Sequence, residues 1–179
     1  MPLYGYILLG IAIVIAGLVA FVSTRPADFR IVRSRVIPAP PAAVFDQVND
    51  FHKWEDWSPW AKLDPTMKQT YDGPPTGPGA AYSWAGGGKV GQGRMTILES
   101  RPNDLVRVKL EFLKPMAATN TTDFEFQPDG AGTRVTWTMT GRHGFMGKLF
   151  DAVMNMDKVV GRDFEKGLTN LQTATEGTK

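Results

Sequence analysis

Two histidines, one adjacent carboxylate pair and no cysteine bound the chemistry open to this chain. His52 and His143 form no HxxxH or HExxH site, and without a thiolate to join them they are a poor start for zinc, so neither a metal nor a cofactor is expected. His52 stands beside a tryptophan cluster and reads as a rim or surface residue, with a general base as the sharper alternative. His143, in TGRHGF (140–145), falls at a strand exit near a helix start, where cavity mouths occur; a loop residue is the plainer reading. Glu55 and Asp56 could serve as an acid pair, but consecutive helix positions face different ways. No serine has the G-x-S-x-G setting of an acyl-transfer nucleophile. The glycine-rich Ala85–Gly93 (AGGGKVGQG) lacks the GxxxxGK[ST] pattern and precedes a strand, so it reads as a hairpin turn rather than a phosphate cradle.

Large aromatic residues offer more. Asp50–Pro65, DFHKWEDWSPWAKLDP, holds three of the five tryptophans, Trp54, Trp57 and Trp60. A short helix over Phe51–Trp57 puts Trp54 and Trp57 on one face, and Pro59 should end it at Ser58. Nothing local can bury three such rings, so they must plug the end of a core built elsewhere, with or without lining a ligand cavity.

The background is that of a folded domain: 42% hydrophobic and 21% charged residues over 179 positions. A net charge of +2, with no long Lys/Arg run, argues against a nucleic-acid partner. Leu3–Val22, LYGYILLGIAIVIAGLVAFV, is uncharged and long enough for one membrane span, preceded by only Met1 and Pro2. A cleaved signal peptide wants a basic start and a shorter apolar core; it and a buried helix are the rivals. Arg25, Arg30, Arg33 and Arg35 all follow the span, which places the remaining domain on the cytoplasmic side.

Residues 1–23 are thus a transmembrane anchor and 24–28 a link to a domain over 29–173, with 174–179 a frayed tail. Phe29–Ile37 alternates Val32, Ser34 and Val36 with Arg33 and Arg35, as a strand does. Pro38–Pro41 breaks it, and Val44, Phe45 and Val48 repeat at helical spacing. Strands follow at Lys68–Tyr71, Ala80–Trp84, Arg94–Ser100, Leu105–Leu113, Ala118–Gln127 and Thr133–Thr140, joined by short turns as in an antiparallel meander with one apolar face. From about Gly147 to Thr173 the apolar stripe Leu149, Val153, Met156, Val160, Phe164, Gly167 and Leu171 predicts a long helix, with a break near Asn155. Gly161 and Gly167 inside it imply close approach to the sheet, or room for something between.

Strand, two short helices, about six more strands and a long helix: this order resembles the polyketide cyclase/dehydrase branch of the START-like (SRPBCC, Bet v 1-like) superfamily. The residues that carry the likeness are IPAPPAAVFDQVNDFHKWEDWSPW, AKLDPTMKQTYDG, VGQGRMTI and the ending GRDFEKGLTNLQ. It implies an α+β helix-grip fold, a seven-stranded curved sheet gripping the C-terminal helix around a largely apolar cavity. Trp57, Tyr82, Trp84, Met95, Phe112, Phe124, Trp137, Met139, Val160 and Phe164 would line that cavity, or simply fill the core. Tyr82 and Trp84 bring an OH and an NH that could orient a polar group. The resemblance brings no catalytic residue.

Three functions stay open. One is a membrane-tethered, non-enzymatic module for a lipid, isoprenoid, quinone or polyketide-like ligand. The second is a cyclase/dehydrase-type enzyme using His143. The third is a stress or envelope protein that binds a partner through an exposed Trp54–Trp60 region.

Overall fold

The computed structural model describes residues 3–88 and 90–177. A 22-residue helix, α1 (Leu3–Thr24), leads into a seven-stranded antiparallel sheet: β1 (Asp28–Ile37), β2 (Lys68–Asp72), β3 (Ala81–Ala85), β4 (Gln92–Arg101), β5 (Leu105–Lys114), β6 (Ala118–Asp129) and β7 (Gly132–Arg142). Their spatial order is β1-β7-β6-β5-β4-β3-β2, so each strand from β2 onward lies beside its sequence neighbour and β1 closes against β7. Between β1 and β2 come α2 (Pro41–Asn49), a 3-10 turn (Phe51–Lys53) and α3 (Trp54–Trp57); α4 (Phe145–Met154) and α5 (Met156–Glu176) complete the chain. This is the helix-grip architecture, with α5 packed against β1, α2 and α3.

The strand alternation follows the wet and dry faces for β5, β6 and β7. Val108 lies opposite Thr122, and Phe124 opposite Trp137, all on the concave face. β1 is the strand its alternation predicts, but its inward face is not the one that carries Val32 and Val36. Its concave residues are Phe29, Ile31, Arg33, Arg35 and Ile37, in register with Gly141, Met139, Trp137, Val135 and Thr133, whereas Val36 is exposed on the outer face. The two arginines turn inward because α5 supplies their partners. Arg33 Nε donates to Glu165 at 2.8 Å and its Nη1 to Asp157 at 3.1 Å, while Arg35 Nε donates to Gln172 at 2.8 Å.

α2 starts on Pro41, whose missing N–H costs nothing in the first turn. Its last carbonyls are satisfied by the tryptophan cluster. Trp54 Nε1 donates to Val48 O at 2.9 Å and Trp57 Nε1 to Gln47 O at 3.1 Å. The spacing of three therefore places two indoles side by side, 4.6 Å between ring centroids, against the end of the preceding helix. Ser58 turns extended before Pro59, as expected.

The C-terminal stripe forms two helices that break at Asn155, where the sequence places the break. Asn155 takes a left-handed φ of 51° and caps α5 through its side chain, which accepts from Lys158 N at 3.2 Å. α5 buries Phe164, Gly167, Leu168 and Leu171, while Val153 on α4 is 77% exposed. α5 also runs beyond Thr173 to Glu176, with Thr175 buried. The β3–β4 connection is a hairpin turn, with Lys89 outside the described residues. Its Gly87 N–H donates to Asp64 Oδ2 at 2.7 Å, which occupies a donor an anion would need.

Candidate functional site

The concave face divides into a closed half and a half-open one. In the closed half, Trp137 stacks on Phe164 of α5 at 4.0 Å and 7°, and meets Phe124 at 4.7 Å, Trp57 at 5.8 Å and Trp60 at 5.9 Å. Of the residues proposed to line a cavity, Trp57, Phe124, Trp137, Phe164 and Met139 are buried. Ring packed on ring, the first four are core. Trp54 and Trp57 are also buried, which removes the exposed tryptophan surface needed for the partner-binding reading.

The other half, toward β2, holds a row of half-buried side chains: Tyr71, Tyr82, Trp84 and Phe112, with Met95 and Leu110 between them. Register explains the row. Tyr71 pairs with Tyr82, Tyr82 with Met95, Met95 with Leu110, and Trp84 and Phe112 flank Gly93. The rings run in sequence, Tyr71 to Tyr82 at 5.3 Å, Tyr82 to Trp84 at 6.0 Å and Trp84 to Phe112 at 6.0 Å. Gly93 is needed here, because a Cβ on it would overlap the Trp84 ring and approach Glu111 O. Phe51, 6.2 Å from Tyr82, joins this shelf to the closed half. Val160, also half-buried, packs against the core from α5.

Polar groups on the shelf are few. Trp84 Nε1 already donates to Val90 O at 3.0 Å, so of the two groups expected to orient a ligand its N–H is taken. Tyr71 OH donates to Gln69 Oε1 at 3.1 Å. Burial, with the neighbouring Tyr71 and Glu55 charges, pushes the Tyr82 hydroxyl from 10.0 up to about 12. The fold thus favours neutral Tyr82. That contribution is whole below about pH 10, the unfolded value, and is lost as pH rises through about 12. An absorbance titration of the full chain should show one tyrosine ionising near the upper end of that window, and Tyr82→Phe should remove it. Ordinary ionisation of every tyrosine near pH 10 would contradict the packed position.

His52 lies at the shelf's rim, 54% exposed, its Nδ1 2.9 Å from Asp50 Oδ1 and its ring stacked on Tyr71 at 4.1 Å. Glu55 and Asp56 are both exposed and share no site. His143 lies elsewhere, where β7 ends: its ring stacks on Phe29 at 4.3 Å, and its backbone N–H donates to Ala27 O at 2.8 Å. Among the described residues nothing hydrogen-bonds its buried ring Nε2, nor the Trp137 Nε1 at the centre of the closed half. No cluster of three or more metal-binding side chains occurs among the described residues. Two surface depressions flank α5, one along Arg35, Arg162 and Glu165, the other along Asp56, Lys62 and Asn170; both are polar and outside the grip. Sequence reasoning missed Tyr71 as a site residue, although a hairpin pairing it with Tyr82 was its available signal.

The pattern of the family described as polyketide cyclase / dehydrase and lipid transport matches residues 28–176. Among curated proteins none matches the chain. Solved structures share the fold at low identity. Protein CV1439 of Chromobacterium violaceum superposes with a TM-score of 0.60 at 16% identity, covering 82% of this chain and 96% of that one. Protein SA2116 of Staphylococcus aureus gives 0.66 at 10% identity, over 86% and 97%. The di-domain ARO/CYC StfQ of the steffimycin biosynthetic pathway gives 0.63 at 12% identity, over 85% of this chain and 52% of that one. The chain belongs to the polyketide cyclase / dehydrase and lipid transport family, and its helix grip is a hydrophobic-ligand-binding fold.

Proposed function

We propose that this chain holds a hydrophobic small molecule, of the lipid, isoprenoid, quinone or polyketide-like kind, on its concave face while α1 tethers it to a membrane. The observation that carries this reading is the half-buried row Tyr71, Tyr82, Trp84, Met95, Leu110 and Phe112, continuous with a core that is otherwise closed. A domain in water gains by burying such rings, so a connected row left half-open suits a second apolar surface. α1 is uncharged, and among its residues only Val22 is buried, as suits a helix whose other side chains face lipid. Tethering raises the local concentration of a membrane-dissolved ligand. Arg33 and Arg35 are engaged with α5, so the cytoplasmic side is supported by Arg25 and Arg30. Protease cleavage of the domain from outside intact cells would overturn that orientation.

Native mass spectrometry of the gently extracted full chain tests the binding. The expected result is a discrete added mass, released on denaturation, of a hydrophobic molecule. Met95→Arg, which puts a charge in the row, should weaken its retention by roughly tenfold or more. An unliganded mass for the extracted chain, with no uptake of offered lipids or quinones, would sink the proposal.

The buried, unpartnered His143 Nε2 supports a second reading, a cyclase/dehydrase in which this nitrogen takes a proton from the carbon beside a hydroxyl of the bound molecule and returns it to the departing hydroxyl, so that a C=C bond forms as C–H and C–O break and water leaves. A released molecule that has lost water relative to the one loaded, with the loss abolished in His143→Ala, would favour it. Unchanged turnover in that variant would remove His143 from the chemistry.

A further inference from the structure

Among the described residues, most of the apolar half of α4 stays exposed, with Leu149 alone half-buried. At 100° per residue, Phe145, Leu149, Val153, Met146, Phe150 and Met154 fall within one half of the helix, and Gly147, Asp151, Lys148 and Ala152 within the other. In a core helix the first set would be buried. Here Phe145, Met146 and Phe150 are 43–47% exposed, Met154 53% and Val153 77%.

The position of α4 says what covers it. It packs against α1, and Lys148 Nζ donates to Ser23 O, in the last turn of α1, at 3.4 Å. Strand register adds a second element at the same level. The start of β1 pairs with the end of β7 at Asp28 and Arg142, Gly141 with Asn120, and the start of β6 with the end of β5 at Ala118 and Phe112. One edge of the sheet therefore carries the exit of α1, the entry to α4 and the β5–β6 turn, where Leu113 is 60% and Met116 45% exposed. The open row of the concave face reaches this edge through Trp84 and Phe112. Charge suits an anionic surface too: Arg25, Lys114 and Arg142 are exposed on this edge, with Lys148 on the polar side of α4.

We infer that α4 is an interfacial helix, its apolar half laid into the headgroup–acyl boundary of the bilayer beside the exit of α1. Lys148 and Arg25 extend to the lipid phosphates. The arrangement holds the open end of the concave face against the membrane, so that a lipid-soluble molecule passes to the aromatic row without crossing bulk water. This rests on the reading of α1 as a membrane span.

Depth-dependent quenching separates the two claims. The chain has no cysteine, so Ile13→Cys in α1, Val153→Cys in α4 and Thr169→Cys on the outer face of α5 each create a single labelling site. Each full-length variant carries an environment-sensitive fluorophore and is reconstituted in phosphatidylcholine–phosphatidylglycerol vesicles with brominated lipids. The expected result is deep lipid quenching at residue 13, shallow lipid quenching at residue 153 roughly fivefold above that at residue 169, and aqueous quenching at 169. Lipid quenching at 13 with aqueous quenching at 153 would leave the span intact and overturn the inference. Shielding of 153 from both quenchers would assign the face to a second protein copy, which also overturns it. Absence of lipid quenching at 13 would overturn the span and the inference together.

Discussion

Trp137→Ala is expected to destabilise the domain by about 3–5 kcal/mol, the range for removing a buried large aromatic side chain. Trp137 is 2% exposed and meets four rings, Trp57 and Trp60 from the segment after α2, Phe124 from β6 and Phe164 from α5. Its loss opens a cavity where the sheet, the tryptophan segment and the C-terminal helix meet. None can close on it independently, because α5 is also held to β1 by Arg33 and to α3 through Asn170 Nδ2, which donates to Trp57 O at 3.2 Å. Against a total stability of about 5–15 kcal/mol, such a loss leaves the domain marginal. Denaturant unfolding of the full chain in mild detergent measures it, and a change below about 1 kcal/mol would show that the rings are not one packed unit. Trp137→Phe separates two terms. It keeps most of the stacking and removes an indole N–H that is buried without a partner, whose desolvation costs about 1–3 kcal/mol. The lost ring volume and the relieved donor oppose one another, so this variant should lie close to the parent. A large loss in Trp137→Phe would instead show that the N–H has a partner in the working protein, such as a bound ligand.

The meander was legible in the chain because β5, β6 and β7 each have one wet face, so Val106, Val108 and Leu110 announce their side by alternating with charge. The inward face of β1 was not legible for the same reason. Arg33 and Arg35 resemble solvent-facing residues unless the acids and amide of α5 are already in view, and those lie more than 120 residues later. The break between α4 and α5 was legible at Asn155 as an N-cap residue, but the change of direction there was not, because the two apolar stripes stay in phase across it. Only a left-handed backbone there separates a helix packed on the core from one turned away from it. The site was legible as a list of large side chains on one face. Which of them close into core and which stay half-open depends on where α5 lies across the sheet, over the β1 side rather than over β3. That is a tertiary fact with no local signal. Tyr82 and Trp137 look equivalent in their strands and differ only in having, or lacking, Phe164 above them.

Gly167→Val is expected to cost about 2–3 kcal/mol, although valine is the better helix former. Two effects oppose one another. Glycine inside a helix is less favourable than alanine by about 1 kcal/mol, so a Cβ at this position would help an isolated helix. In the fold, however, a Cβ at Gly167 would lie 2.7 Å from Trp137 Cζ3 and 3.1 Å from Pro59 Cδ. Neither neighbour can yield cheaply. Trp137 is clamped between Phe164 and Phe124, and Pro59 is itself buried, two residues after Trp57. α5 cannot lift away without uncovering Leu168 and Leu171, both essentially unexposed. Valine adds two methyl groups to a contact already too close for one, so the clash outweighs the propensity gain. Gly167→Ala should show the same sign at smaller size, and the difference between the two variants measures how rigidly α5 is seated. Of the two explanations for this glycine, close approach and space for a ligand, the geometry selects close approach. Neutral or increased stability in Gly167→Val would reverse that choice, because only a helix standing off the sheet could accept the side chain.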